Sequence, residues 1–196
     1  MLNSGELKLD LYCKGLRMHE SCASEDGRGL LRTRGGLGSG LEAVLPGNLY
    51  VNIPVSEKFA QKSPYVLHKE NGNYVIRKDG RVVSELRVLP RPKFYDRKTS
   101  SGKTMGRIGV LQGTYLGIYS NEVCGFWKMN PKMNCKFCSV GLNLGQNEEI
   151  EKSVEDVVET ALAARDECGV TFVHFNSGFA PDGKELERLE PYIKAV

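Results

Sequence analysis

The sequence is short of four things, and each shortage narrows what the protein can do. No apolar run approaches the roughly 20 residues that cross a bilayer, so no membrane partner is expected. Charge of one sign is scarce as well: 27 Lys and Arg stand against 24 Asp and Glu, a net of +3 over 196 residues. Nucleic-acid-binding domains instead cluster Lys and Arg on a strongly basic surface, so no nucleic-acid partner is expected. The opening stretch, MLNSGELKLDLYCKG, carries charges where an export signal needs an apolar block. The expectation is a soluble cytoplasmic protein, in which the six cysteines are not read as three disulfides and a Cys-x-x-Cys pair is better read as metal-binding or redox-active. The fourth shortage is local. Residues 124–141, CGFWKMNPKMNCKFCSVG, hold three cysteines spaced C-x10-C-x2-C, with no fourth cysteine nearby.

What is present is enough for folding. An apolar content of 40% supports a packed core, and the length suits one ordinary domain or two small ones. LKLDLY alternates as a half-buried strand does. LYVNIPV reads as a short strand, and YVLHKENGNYVIRKDGRVVSELRVL as a meander turning at Asn71-Gly72 and Asp79-Gly80. Those dipeptides supply the positive φ of tight hairpins. PRPKFYDRKTSSGKT reads as a polar connector and a domain boundary.

The pattern changes from residue 107. RIGVLQGTYLGIYS is an apolar run leading into the cysteines. SVEDVVETALAARDECG predicts a helix with Ser153 as N-cap, Asp156 completing the cap, Gly169 at its C-terminal end and Val154, Val157, Val158, Ala161 and Leu162 on one face. VTFVHFNSG has the apolar pattern of a buried parallel strand, and DGKELERLEPYIKAV that of a further helix. Strand, cysteine loop, helix, strand, loop, helix gives two successive β/α units. Two units cannot close a barrel, so the chain reads as truncated and little turnover is expected of it alone.

Thiolate is a soft ligand suited to iron–sulfur clusters, zinc and Cu(I). Three ligands leave one coordination position open. Structural zinc is normally closed by four protein ligands, whereas a four-iron cluster on three cysteines leaves an iron free. The cysteine stretch, with its C-x2-C pair and the aromatic residue in Cys135-Lys136-Phe137-Cys138, resembles the cluster loop of radical S-adenosylmethionine (SAM) enzymes. The first gap is ten residues, where that superfamily usually has three. VTFVHFNSGF resembles the superfamily's second barrel strand, with Asn176, Ser177 and Gly178 where a Gly-Gly-Glu type motif stands. RTRGGLGSG, VNIPV, SPYVL and PRPKFYDRKTSSGK resemble a biotin-synthase-like subgroup carrying a β-rich N-terminal region.

The resemblance implies an α/β fold: a β-rich region over 1–100, then the first β/α units of an incomplete radical SAM TIM-like barrel over 101–196. It implies a [4Fe–4S] cluster on Cys124, Cys135 and Cys138, with SAM held by Phe137, Asn176, Ser177 and Gly178. It further implies an electron donor such as flavodoxin or ferredoxin, and a small-molecule substrate that the sequence leaves unidentified. The alternatives are a non-catalytic zinc-binding interaction module, with Cys168 or His174 as fourth ligand, and a degenerate fragment.

Other features invite plainer readings. Cys168 is expected to be a buried small hydrophobe, Cys13 and Cys22 unligated, His174 a core or barrel-facing residue, and His19 and His68 surface residues. GGLGSG is read as a flexible turn, because LEAVLPGN makes a poor helix after it. Lys128, Lys132 and Lys136 either offset cluster charge, meet an electron donor or form a solvated face.

Overall fold

The computed structural model describes residues 3–22, 40–120, 122–136 and 138–196. Most of the Gly-rich stretch lies outside them, as does Phe137. The chain divides into two compact units, Met1–Arg91 and Pro92–Val196. Each is described by itself.

The first unit opens with a helix, α1 (Ser4–Lys14), where alternation suggested a strand. A capping box decides it: the Asn3 side chain accepts from the Glu6 amide, and the Glu6 carboxylate accepts from the Asn3 amide. Leu7 and Leu11, one turn apart, are then buried together, while Leu9 stays exposed. Six strands follow: β1 (Arg17–Met18), β2 (Leu41–Leu45), β3 (Leu49–Ile53), β4 (Tyr65–Glu70), β5 (Asn73–Lys78) and β6 (Arg81–Val88). They form one curled, half-barrel sheet in the order β1-β4-β5-β6-β2-β3. Only β1–β4 is a parallel pairing. The hairpins turn where the sequence places them, with Asn71-Gly72 at φ 50° and 85° and Asp79-Gly80 at φ 50° and 75°. Leu7, Leu11, Ile53, Tyr65, Leu67 and Ile76 centre the core. Tyr65 is fully buried, and its hydroxyl donates to Asp10 on α1 at 2.6 Å.

The second unit begins in the stretch read as a connector. That stretch is folded. Phe94 is fully buried in a short 3-10 turn (Lys93–Asp96), whose Phe94 amide donates to Glu167 at 2.9 Å. Residues 98–104 form a small loop closed by a Lys98–Thr104 bridge. The apolar run after it is a hairpin rather than one strand: β7 (Val110–Gln112) and β8 (Tyr115–Tyr119) are antiparallel, turning at Gly113 with φ 64°. Two short helices follow, α2 (Gly125–Lys128) and α3 (Val140–Asn143), then the long α4 (Val154–Cys168), β9 (Val173–Asn176) and α5 (Glu185–Ala195).

α4 has the expected caps: Ser153 and Asp156 exchange hydrogen bonds, and Gly169 is left-handed at φ 67°. Its buried face differs from the expected one. Asp156, Val157, Thr160, Ala163 and Ala164 face inward, while Val158, Ala161 and Leu162 line an open groove of about 650 Å³ with Phe172, Phe175 and Ile193. The buried Asp156 carboxylate is the reason. It accepts from Thr99 Oγ1 at 2.7 Å, Ser101 Oγ at 2.6 Å and Lys103 Nζ at 2.9 Å, so the 98–104 loop docks on the polar side of the helix start.

The expected fold class does not hold. The larger sheet is the mixed, mostly antiparallel half-barrel. The smaller sheet, β7-β8-β9, has one antiparallel and one parallel pairing. The Gly113 turn places β7 antiparallel on the edge of β8, where an α/β barrel requires a parallel neighbour. The protein is therefore β-rich with few helices rather than the start of an α/β barrel. Among the described residues, no helix is long and apolar enough to cross a membrane.

Candidate metal centre

The cysteine stretch hangs between the end of β8 and α4, and the end of β9 returns against its first cysteine. The parallel β8–β9 ladder brings this about: Tyr119 pairs with Asn176, and Ser120 continues the contact, its amide donating to the Asn176 carbonyl at 2.9 Å. The two loops beyond are joined by further contacts. The Gly125 amide donates to the Phe179 carbonyl at 2.8 Å, and the Phe126 and Phe179 rings stack with centroids 4.6 Å apart. Gly125 leaves no room for a β-carbon, which would stand 2.9 Å from Pro181 Cγ.

Gly178 sits tighter than Gly125. A β-carbon there would overlap both the Cys124 side chain and the Tyr119 hydroxyl. Of the sequence-expected SAM contacts, Gly178 is thus against the first cysteine, while Asn176 and Ser177 are exposed beside it. Phe137 lies outside the described residues. The Tyr119 hydroxyl donates to the Glu122 carbonyl at 3.2 Å. Burial pushes the Tyr119 phenol up to about 12, with smaller contributions in the same direction from the neighbouring Cys124, Cys138 and Glu148.

The second and third cysteines are one turn apart, with the Cys138 amide donating to the Cys135 carbonyl at 3.0 Å. Cys135 is exposed; Cys124 and Cys138 are half-buried. The Cys138 sulfur accepts from the Trp127 indole at 3.3 Å. Lys132 stands 5.6 Å from the centre of that indole. Lys128 is paired with Glu122 at 2.9 Å on the surface, which lowers the Glu122 carboxyl. Behind the site, the buried Lys152 donates to the Tyr119 carbonyl at 2.8 Å and the Glu149 carbonyl at 2.6 Å, and stands 3.4 Å from the buried Glu148 carboxylate. Lys152 thereby fixes the end of β8.

Among the described residues, no three His, Cys, Asp or Glu side chains are gathered as a metal site. The donor set nonetheless suits a thiophilic centre: three free thiols in one loop, one already receiving an N–H, and a glycine cradle beside the first. The alternative fourth zinc ligands lie elsewhere in character. Cys168 is exposed at the end of α4 rather than buried, and His174 is exposed on β9 with its ring edge-on to Tyr115 at 5.6 Å.

The remaining expectations resolve individually. Cys13 is a free exposed thiol, and Cys22 is buried, its sulfur donating to the Leu67 carbonyl at 3.2 Å. His19 and His68 are half-buried and stack with centroids 4.1 Å apart, rather than standing alone at the surface. Sequence reading missed Tyr119, Trp127 and Lys152. Trp127 carried a signal, as the only tryptophan, set inside the cysteine stretch. Lys152 carried none, because its role depends on carbonyls brought to it by the fold.

Comparison of the chain with protein-family models, with curated proteins and with solved structures gives no match.

Proposed function

We propose that this protein is an iron–sulfur enzyme that holds a [4Fe–4S] cluster on Cys124, Cys135 and Cys138 and uses SAM to begin radical chemistry on a small molecule. The observation that carries this reading is the contact of Gly178 with Cys124. It brings the Asn176-Ser177-Gly178 segment, distant in sequence, to the cysteine loop. A closed zinc knuckle needs no such second segment.

The cluster and SAM together would supply a one-electron cleavage that gives a 5′-deoxyadenosyl radical. The chain's own residues do the rest. Cys124, Cys135 and Cys138 would ligate, leaving an open iron for the amino and carboxylate groups of SAM. Exposed Asn176 and Ser177 offer side-chain amide and hydroxyl groups on the segment whose Gly178 meets Cys124. Tyr119 and the Gly125–Phe179 bond keep the two segments together. A low-potential donor such as flavodoxin or ferredoxin would reduce the cluster, meeting the loop where Cys135 is exposed.

The test is electron paramagnetic resonance of the anaerobically loaded, dithionite-reduced protein with and without SAM. A spectrum that changes when SAM is added supports the reading. A cluster spectrum indifferent to SAM contradicts it.

A further inference from the structure

The Trp127 indole donates to the Cys138 sulfur at 3.3 Å, linking α2 to the last cysteine of the loop. Three further features fix that donor. Its own amide is tied to the Cys124 carbonyl at 2.9 Å, so the ring stands on the same short helix that the first cysteine starts. Gly141 on α3 packs so closely on the indole that a β-carbon there would overlap the ring. The Lys132 ammonium lies over the ring at 5.6 Å from its centre, and a cation on an indole face polarises the N–H toward its acceptor.

We propose that Trp127 is a positioning residue that sets the reduction potential of the cluster through its N–H bond to Cys138, with Lys132 strengthening that bond. This rests on the cluster reading above. A hydrogen bond to a ligating sulfur withdraws negative charge from it, which favours the more negative, reduced state of the cluster and raises its potential. The step concerned is the uptake of one electron from a low-potential donor, with no bond made or broken in the protein. Trp127→Phe keeps an aromatic ring and removes the donor, so its cluster is harder to reduce. Lys132→Met leaves the donor in place and gives a smaller shift in the same direction.

The experiment has two readouts. In the metal-free, reduced protein, the single indole N–H resonance is followed in Cys138→Ala and Cys135→Ala. A shift in the first, larger than in the second, supports the bond; no shift in Cys138→Ala overturns it. In the anaerobically loaded protein, midpoint potentials are measured by dithionite titration followed by electron paramagnetic resonance. Potentials falling in the order wild type, Lys132→Met, Trp127→Phe support the proposal. Equal potentials in wild type and Trp127→Phe, at equal iron content, overturn this inference alone. A wild-type chain that takes up no iron overturns the cluster reading and this inference with it.

Discussion

Gly178 and Cys124 touch across more than fifty residues of sequence, and no side chain fits between them. The β-carbon that any other residue would bring lands on both the Cys124 side chain and the Tyr119 hydroxyl.

Replacing Gly178 by Ala therefore pushes Cys124 and Tyr119 apart. Overpacking of this kind costs about 1–3 kcal/mol. The expected outcome is iron uptake reduced well below wild type with the helical signal of α4 retained, measured by iron assay beside circular dichroism.

Asp156 holds the 98–104 loop to α4, and its protonation state governs that docking. Burial alone would raise its carboxyl. The Ser101, Lys103, Ser153 and Thr99 donors outweigh burial and hold it well below the ordinary carboxylate range. The folded pKa is thus below the unfolded one, so the stabilisation is present above the unfolded carboxylate range and lost as pH falls toward the folded value. Asp156→Asn breaks the part-buried pair with Lys103 and is expected to cost about 1–3 kcal/mol. Urea unfolding from pH 7 to 3 checks both points: wild type loses stability on acidification, and the variant starts lower and changes less.

Tyr65 behaves in the opposite sense. Burial and the Asp10 carboxylate push its phenol up to about 12. The folded pKa lies above the unfolded value near 10, so this stabilisation is complete below pH 10 and is lost as pH rises toward 12. Tyr65→Phe removes the bond to Asp10 at a cost of about 1–2 kcal/mol and flattens the alkaline limb. Denaturant midpoints between pH 8 and 11 give the comparison.

Lys152 holds the end of β8, just before the cysteine loop. Replacing it by Met strands the buried Glu148 carboxylate and frees the Tyr119 carbonyl, an expected loss of about 3–5 kcal/mol. Replacing Lys152 and Glu148 together by Met and Gln is expected to recover part of it, as a double-variant cycle by urea unfolding measures.

Much of the local structure was legible because it rests on near-neighbour chemistry. Asn71-Gly72 and Asp79-Gly80 turn as their φ preferences require, and Ser153, Asp156 and Gly169 cap α4 as expected. What failed was whatever depends on distant partners. Alternation in LKLDLY suggested a strand, yet the Asn3–Glu6 capping box and the burial of Leu7 with Leu11 make it helical. The run through Gly113 suggested one strand and folds as a hairpin, which removes the barrel reading. The polar 98–104 stretch suggested a linker, because nothing local shows that Asp156 awaits its hydroxyls. In the site, the cysteine spacing was visible, whereas Tyr119 and the glycine contact emerge only when β8 and β9 lie side by side.

The most direct test of the central claim is metal content after anaerobic reconstitution with iron and sulfide, for wild type and for Cys124→Ala, Cys135→Ala and Cys138→Ala. About four irons with matching sulfide per chain, lost in every variant, is the predicted result. A colourless protein holding one zinc, or iron retained in Cys124→Ala, would contradict it.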